Sequence, residues 1–379
     1  MVRDSATNFS LLPDVNQPPR ALRFLFVPVS GRYGKGEYAR SLAIAQAASA
    51  RWPEATIHFV LSRQAPYAAD VPFPTTLLAA SPTFHSAAVI ELFETWQPDV
   101  VIFDNAGRTA QLRAAQRLGA RVVYISARRR QRRKAFRWRW MAVIDEHWIA
   151  YPKFLASELN FLERLKLKLI GRPVVRYLDV ILSRGDTAQG SAILSRIKGS
   201  AGRFVLIVPG GGTGHPGMDR AVDQFMKAAR SLAAQGISIV YVGPAGGIPV
   251  DADRSPNWYH VDWLPQADLA HLMRSAHLIV TNGGSTLVQG IACGKVCIAV
   301  PIANDQVERA RRCVACGVAE SALLDASDIV QAVERLLQNE VYLSALAARV
   351  EKLELVDGVA MAIKALEKLV EPIQQIAQN

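Results

Sequence analysis

Twice along this chain a short apolar run breaks into a glycine-rich loop and then into a helical pattern, and that repeated unit restricts the fold more than any other feature. The first unit is LRFLFVPV at residues 22–29, followed by SGRYGKGEYAR and a helical pattern over 37–51. The second is the apolar run 203–208, then PGGGTGHPG and a helical pattern over 218–235. Strand, glycine loop and helix open a doubly wound domain, in which parallel strands are covered by helices on both faces. After the first unit the alternation continues with strands expected at 56–61, 99–103 and 121–125 and helices at 85–96 and 108–118. After the second, strands are expected at 237–242 and 258–261. The most informative stretch is 278–306, LIVTNGGSTLVQGIACGKVCIAVPIANDQ. It reads as a buried strand at 278–281, a turn at Asn282, Gly283 and Gly284, a helix capped by Ser285 or Thr286, and a second buried strand at 296–300 stopped by Pro301.

With 379 residues, two domains are the default. The pattern places them at 21–175 and 203–356, both Rossmann-like, joined by a loosely patterned linker at 176–202. Residues 1–20 hold polar residues, an early acid and no apolar core, and read as a disordered leader rather than a secretion signal. Residues 357–379 read as a helix, closing a tail that is helical from 326 onward.

The net charge is +11, yet the segment 128–139 alone holds eight basic residues and no acid, so the basicity is local. Arg128, Arg129, Arg130, Arg132 and Arg133, interleaved downstream with Trp138 and Trp140, suit an anionic membrane surface. A nucleic-acid partner and a plain solvated helix compete for the same residues, and the membrane surface is the reading adopted. No apolar run reaches the ~18–20 residues that span a bilayer. Of Cys293, Cys297, Cys313 and Cys316, Cys297 falls in an apolar strand and Cys293 in a helix rather than on metal-binding knuckles, so buried thiols of a reducing cytoplasm are expected and no metal is.

In parallel sheets ligands sit beyond the carboxyl ends of the strands, where Gly34, Gly36, Glu37 and Asp104 fall. Backbone amides of glycine loops and of a helix's first turn favour a phosphate, which singles out Gly211, Gly212 and Thr213 and the turn Gly283, Gly284, Ser285 and Thr286. Lys35, Arg40 and His215 are positioned to meet phosphate charge or simply to face solvent.

These elements resemble the GT-B glycosyltransferases, built from two facing Rossmann-like domains with parallel sheets. The C-terminal half resembles the family of the bacterial N-acetylglucosaminyltransferase of lipid II synthesis, and also the plant-type glucosyltransferases of small molecules. The residues that carry this are Trp263-Leu264-Pro265-Gln266, Gly283-Gly284-Ser285-Thr286 and Asp305-Gln306. Gly34-Lys35-Gly36-Glu37-Tyr38-Ala39-Arg40 is similar to a loop of the pseudaminic-acid-pathway nucleotide-sugar hydrolase, with Glu37 where that family has His. Ile170-Gly171-Arg172-Pro173-Val174 resembles the Gly-x-Pro-Val that ends the first domain of the lipid II enzyme.

The resemblance implies a nucleotide base against Trp263 and Leu264, and a diphosphate over Gly283 to Thr286 with help from Gly211 to Thr213. It also implies sugar hydroxyls on Asp305 and Gln306. The family's ribose-binding Glu is Gln289 here, which leaves UDP and dTDP sugars both open as donors. The chain then reads as an inverting glycosyltransferase with no cofactor beyond its nucleotide-sugar co-substrate. Glu37 is the expected catalytic base and Asp104 its reserve, Gly34, Gly36 and Arg40 lie on the acceptor side, and the acceptor is lipid-linked or membrane-proximal at the inner face of the cytoplasmic membrane in bacterial glycan or glycolipid synthesis. A nucleotide-sugar hydrolase and a non-catalytic nucleotide-sugar-binding protein are the alternatives.

Overall fold

The computed structural model describes residues 21–32, 36–182, 187–197, 203–210, 218–245 and 257–378. The expected leader, Gly34, Lys35 and the loop holding Gly211, Gly212, Thr213 and His215 lie outside the described residues.

The first half contains β1 (Arg23–Pro28), α1 (Gly36–Arg51), β2 (Thr56–Ser62), β3 (Thr75–Leu78), α2 (Ser86–Trp96), β4 (Val100–Asp104) and α3 (Thr109–Arg117). It continues through β5 (Arg121–Ser126), α4 (Arg129–Ala135), α5 (Trp138–Met141), β6 (Glu146–Ile149), α6 (Lys153–Ala156), α7 (Phe161–Ile170) and β7 (Val174–Tyr177). Its seven strands run in the order β3-β2-β1-β4-β5-β6-β7, every pairing parallel. The chain order reverses beside β1, between β2 and β4, which opens a crevice at the carboxyl ends of β1 and β4.

The second half contains α8 (Ala188–Ile197), β8 (Val205–Val208), α9 (Met218–Ala234), β9 (Ile239–Val242), β10 (Trp258–Val261), α10 (Gln266–Ser275) and β11 (Leu278–Thr281). Then follow α11 (Ser285–Ala292), β12 (Cys297–Ala299), α12 (Asn304–Ala315), β13 (Ala319–Ser321), α13 (Ala326–Gln338), α14 (Glu340–Glu351) and α15 (Gly358–Gln378). The sheet order is β10-β9-β8-β11-β12-β13, again parallel throughout. The two sheets are thus the same device used twice, as the repeated strand, loop and helix implied.

Apolar side chains cover both faces of each sheet. Phe24, Phe26, Phe59 and Ile102 pack on one side of the first sheet, and Leu25, Val101, Phe103 and Tyr124 on the other. The alternation along β1 gives each face every second residue.

The end of the chain returns to the first half. Ala362, Ala365, Leu366 and Val370 of α15 are buried in the same cluster as Ile44, Ala45 and Ala48 of α1, and Arg51 pairs with Glu367 at 2.6 Å. The backbone crosses between the halves at 178–181 and again at 356–358, and these crossings touch. Val180 bridges Asp357, Gly358 N donates to Val180 O at 2.8 Å, and Val356 N donates to Asp179 Oδ2 at 3.1 Å. A Cβ on Gly358 would lie 2.0 Å from Leu178 O, so the second crossing passes only as glycine.

The basic segment divides in a way its composition conceals. Arg132, expected at a membrane surface, is 8% exposed. It forms a two-pronged pair with Glu163 (3.1 and 2.6 Å) and donates to Ala156 O, Ser157 O and Glu158 O. Trp140, expected at the same surface, is 3% exposed; it packs edge-on to Tyr124 and its indole N–H donates to Thr109 Oγ1 at 3.0 Å. Both are structural and are withdrawn from the surface. Arg128, Arg129, Arg130, Arg133 and Trp138 remain exposed.

Candidate active site

Two helix N-termini face each other across the cleft. On the N-terminal side, β1 ends and α1 begins at Gly36 with Glu37 in its first turn. On the C-terminal side, β11 ends, the chain turns through Asn282 and Gly283, and α11 begins at Ser285. A Cβ built on Gly36 would sit 3.8 Å from Ser285 Oγ, so the two ends nearly meet.

The C-terminal wall is bare main chain by construction. The residue preceding α11 is Gly284, which makes no side-chain cap bond; the cap expected from Ser285 or Thr286 is replaced by a glycine, because both are already in the helix. The first-turn amides are therefore left without a side-chain cap and available to an anion. The turn itself is tightly held. Asn282 Oδ1 accepts from Gly284 N at 2.9 Å, and its amide lies so close to Gly210 (φ +100°) that a Cβ there would come within 2.1 Å of it. At Gly283 a Cβ would meet Gln306 O at 2.7 Å. Gln306 is 7% exposed and accepts from Ile302 N at 2.9 Å, which ties the loop before α12 to the turn. Asp305 is more open and lies 3.6 Å from Arg309.

Arg309 escaped the reading of the sequence. Its guanidinium donates to Gly283 O and stacks 4.8 Å from the ring of Tyr151, which comes from the other half. It places a positive charge beside the Gly283–Thr286 turn, where a diphosphate would bring negative charge. The only local signal was an acid at Asp305, one helical turn earlier.

On the N-terminal wall, Glu37 Oε1 accepts from Asn105 Nδ2 at 2.9 Å and lies 4.0 Å from Arg128. Asn105 occupies a left-handed conformation (φ +52°) at the end of β4, and its Oδ1 accepts from Ala127 N. One side chain thus fixes Glu37 against the ends of β4 and β5. Asp104 plays a different part. It is completely buried and bound by Arg40 through two hydrogen bonds of 2.7 and 2.6 Å. Burial pushes its carboxyl up to about 6 while Arg40 pulls the other way. Burial also opposes the charge on Arg40, but Asp104 outweighs it and holds the guanidinium charged. The pair clamps α1 to β4 and so sets where Glu37 stands.

The cleft between these walls has a volume of about 260 Å³ and is lined by Gly36, Glu37, Arg40, Arg128, Tyr151, Gly210, Asn282, Gly284, Ser285, Thr286, Gln289, Asp305, Gln306 and Arg309, among others. Trp263 and Leu264 are not among its described lining. Trp263 is 65% exposed and Leu264 is buried in the second core. Gln289 reaches the cleft with its amide engaged, donating to Ile181 O at 3.2 Å. A second chamber of about 630 Å³ adjoins the first, sharing Arg128, Tyr151, Asp305 and Arg309 and adding Arg129, Arg133 and Arg312.

Cys297 and Cys313 are buried in the second core. Burial pushes the Cys313 thiol up to about 12 and that of Cys297 well above its ordinary value. Among the described residues no group of three or more His, Cys, Asp or Glu could hold a metal, and no helix is long and apolar enough to cross a membrane.

Two parallel-sheet domains facing across a cleft define the GT-B glycosyltransferase architecture. Residues 248–351 match the family described as UDP-glucoronosyl and UDP-glucosyl transferase. Solved structures agree on the fold. The glycosyltransferase VinC in complex with dTDP superposes with a TM-score of 0.66 at 14% identity, covering 93% of this chain and 100% of that one. UGT2 of Phytolacca americana, complexed with UDP-2fluoro-glucose and pterostilbene, gives 0.65 at 15%, covering 92% and 100%. A UDP-N-acetylglucosamine 2-epimerase also superposes, at 0.54 and 15%, covering 94% and 98%. The fold therefore houses more than one reaction. No curated protein matches the chain in sequence.

Proposed function

We propose that this chain is an inverting glycosyltransferase that moves a sugar from a UDP- or dTDP-sugar to a lipid-linked or membrane-proximal acceptor in bacterial glycan or glycolipid synthesis. The observation that carries it is the placement of Glu37, held by Asn105, across a narrow cleft from the uncapped amides of α11. An inverting transfer needs those two things on opposite sides of the anomeric carbon. The diphosphate rests on the amides of Ser285 and Thr286, with Arg309 beside them. Glu37 takes the proton of the acceptor hydroxyl as its oxygen bonds to the anomeric carbon. The bond from that carbon to the diphosphate oxygen breaks, and the leaving negative charge falls on the helix terminus and Arg309. The nucleotide sugar is consumed as co-substrate and no further cofactor enters.

Gln289 bears on the choice of donor. With its amide donating to Ile181 O at 3.2 Å and to Gln266 Oε1 at 3.4 Å, it keeps only the carbonyl oxygen for a ribose hydroxyl. That suits a ribose and a deoxyribose equally.

Glu37→Gln is the test. Turnover should fall at least ~100-fold with nearly unchanged binding of the nucleotide diphosphate, because the amide keeps the size of the side chain and loses the base. Turnover within a few-fold of the parent would remove Glu37 from this role. Release of free sugar without any acceptor would make the protein a hydrolase, and failure of every nucleoside diphosphate to raise the melting temperature would leave it without a donor site.

A further inference from the structure

Helix α7 is folded inside out. Its sequence, FLERLKLKLI, places Phe161, Leu165 and Leu169 at intervals of four, the stripe a surface helix normally turns inward. Here the buried residue is Glu163, while Phe161, Leu162, Leu165 and Leu169 are 71%, 63%, 40% and 67% exposed. The orientation is built in, since Glu163 is gripped by Arg132 and closes a reciprocal cap with Asn160. Trp138, 54% exposed, extends the patch: Lys166 Nζ lies 5.8 Å over its ring and donates to Phe136 O.

Basic residues surround this patch. Arg133, Arg137, Arg139, Arg164 and Lys168 are exposed, and α7 and the segment 133–139 contain no acid apart from the paired Glu163. The positive field shows at Lys134, whose ammonium is pulled below its ordinary value first by burial and then by Arg130, Arg108 and Arg137. A second copy of the chain would set like charges against like across such a face. A nucleic acid would satisfy the arginines and leave the leucines bare. Apolar side chains ringed by cations match an interface with acyl chains below and anionic headgroups around.

We infer that α7 and Trp138 dock the N-terminal domain on an anionic lipid bilayer, a reading that rests on the proposed membrane-proximal acceptor and gives it a surface. The position is apt, because Asn160 and Glu163 at the start of α7 also line the second chamber beside the cleft. An acceptor headgroup would pass from the bilayer into that chamber without leaving the surface.

The test is co-sedimentation of the full chain with phosphatidylcholine vesicles, with and without phosphatidylglycerol. Binding is expected only to the anionic vesicles. Phe161→Ser with Leu169→Ser should weaken it by at least ~10-fold, because two large side chains no longer leave water. Arg137→Ser and Arg139→Ser should each weaken it about five-fold at low salt and have little effect at 1 M. All four side chains are exposed, so melting temperatures should not move. Equal binding of parent and variants to anionic vesicles would overturn the proposal. So would light scattering that shows a dimer lost in the serine variants with no change on lipid, or an oligonucleotide bound through the same arginines with no vesicle binding. A thermal shift by UDP or dTDP, measured in the same variants, keeps the two readings apart: vesicle binding without a nucleotide shift would sink the donor site and leave the docking face, and the reverse would do the opposite.

Discussion

Removing Arg40 should cost more than removing both members of its ion pair. Asp104 has no exposed surface, and its partners among the described residues are Arg40, through two short hydrogen bonds, and Ser41 Oγ at 3.5 Å. Arg40→Met leaves a carboxylate in the core with only that long contact, a situation that typically destabilises by about 3–5 kcal/mol. Asp104→Leu alone strands the guanidinium and should cost a similar amount. Arg40→Met with Asp104→Leu leaves neither charge buried, and replacement of a buried pair by apolar residues is often near neutral. The double variant should therefore be more stable than either single, with a coupling of about 3 kcal/mol or more. Urea unfolding followed by the fluorescence of the buried Trp148 and Trp140 reads this directly.

A pH dependence sharpens the prediction. Burial already pushes the Asp104 carboxyl up to about 6 against the pull of Arg40, and without Arg40 the native state holds that proton still more readily. The unfolded carboxyl keeps its proton only below about pH 4. Above its native pKa the group is charged in both states and its burial costs stability. As pH falls from the variant's native pKa, which lies above that of the parent, towards about 6, its native state gains a proton that neither its unfolded state nor the native parent binds, and stability returns. Below about 6 the parent's Asp104 takes up the same proton and the difference levels off. Measured as a difference from the parent, the deficit of Arg40→Met should thus shrink on acidification. Additive single effects, or a deficit independent of pH, would refute the reasoning and return Asp104 to the list of candidate bases.

Two other outcomes are expected. Burial, reinforced by Arg132, drops the His147 imidazole to about 3, and its Nδ1 lacks a hydrogen-bond partner among the described residues. The unfolded chain therefore takes up a proton below about pH 6.5 that the native state refuses until about pH 3. Stability should fall across that window by up to about 1.4 kcal/mol per pH unit, and His147→Gln should flatten the slope in acid denaturation profiles. Gln289→Glu exchanges a donor to Ile181 O for a carboxylate that can only accept. The apo protein should melt at a lower temperature, and UDP should recover more of the loss than dTDP, since only the ribose offers both hydroxyls to the new carboxylate. A higher apo melting temperature would contradict the assignment of that bond.

Reading from the residues alone succeeded where the signal was local. β1, β2, β4 and β5 are apolar runs bounded by turn formers, and the glycine turn at Gly283 advertises itself by composition. β6 was invisible for a physical reason. Its Glu146 and His147 are buried, yet Glu146 is bound by Arg176 at 2.8 and 2.9 Å, thirty positions away, and His147 is bonded to Ser126. Polar residues look like loop until their distant partners are known. The same holds for Arg132 and Trp140, assigned to the surface by composition and drawn inside by Glu163 and Tyr124. Arg309 and Tyr151 reach the cleft, and Asn105 reaches Glu37, only through packing between elements far apart in sequence. α7 is the converse case, since its stripe is legible at once but its outward direction is set by the buried Arg132–Glu163 pair.

The return of α15 to the face of α1 also dictates an order of assembly. Residues 188–353 form one uninterrupted stretch and can close their own sheet as soon as they leave the ribosome. The other half, made before it, shares the core cluster around Ile44, Ala45 and Ala48 with Ala362, Ala365 and Leu366 of α15, so its packing is completed only by a helix that lies beyond the second half in the chain.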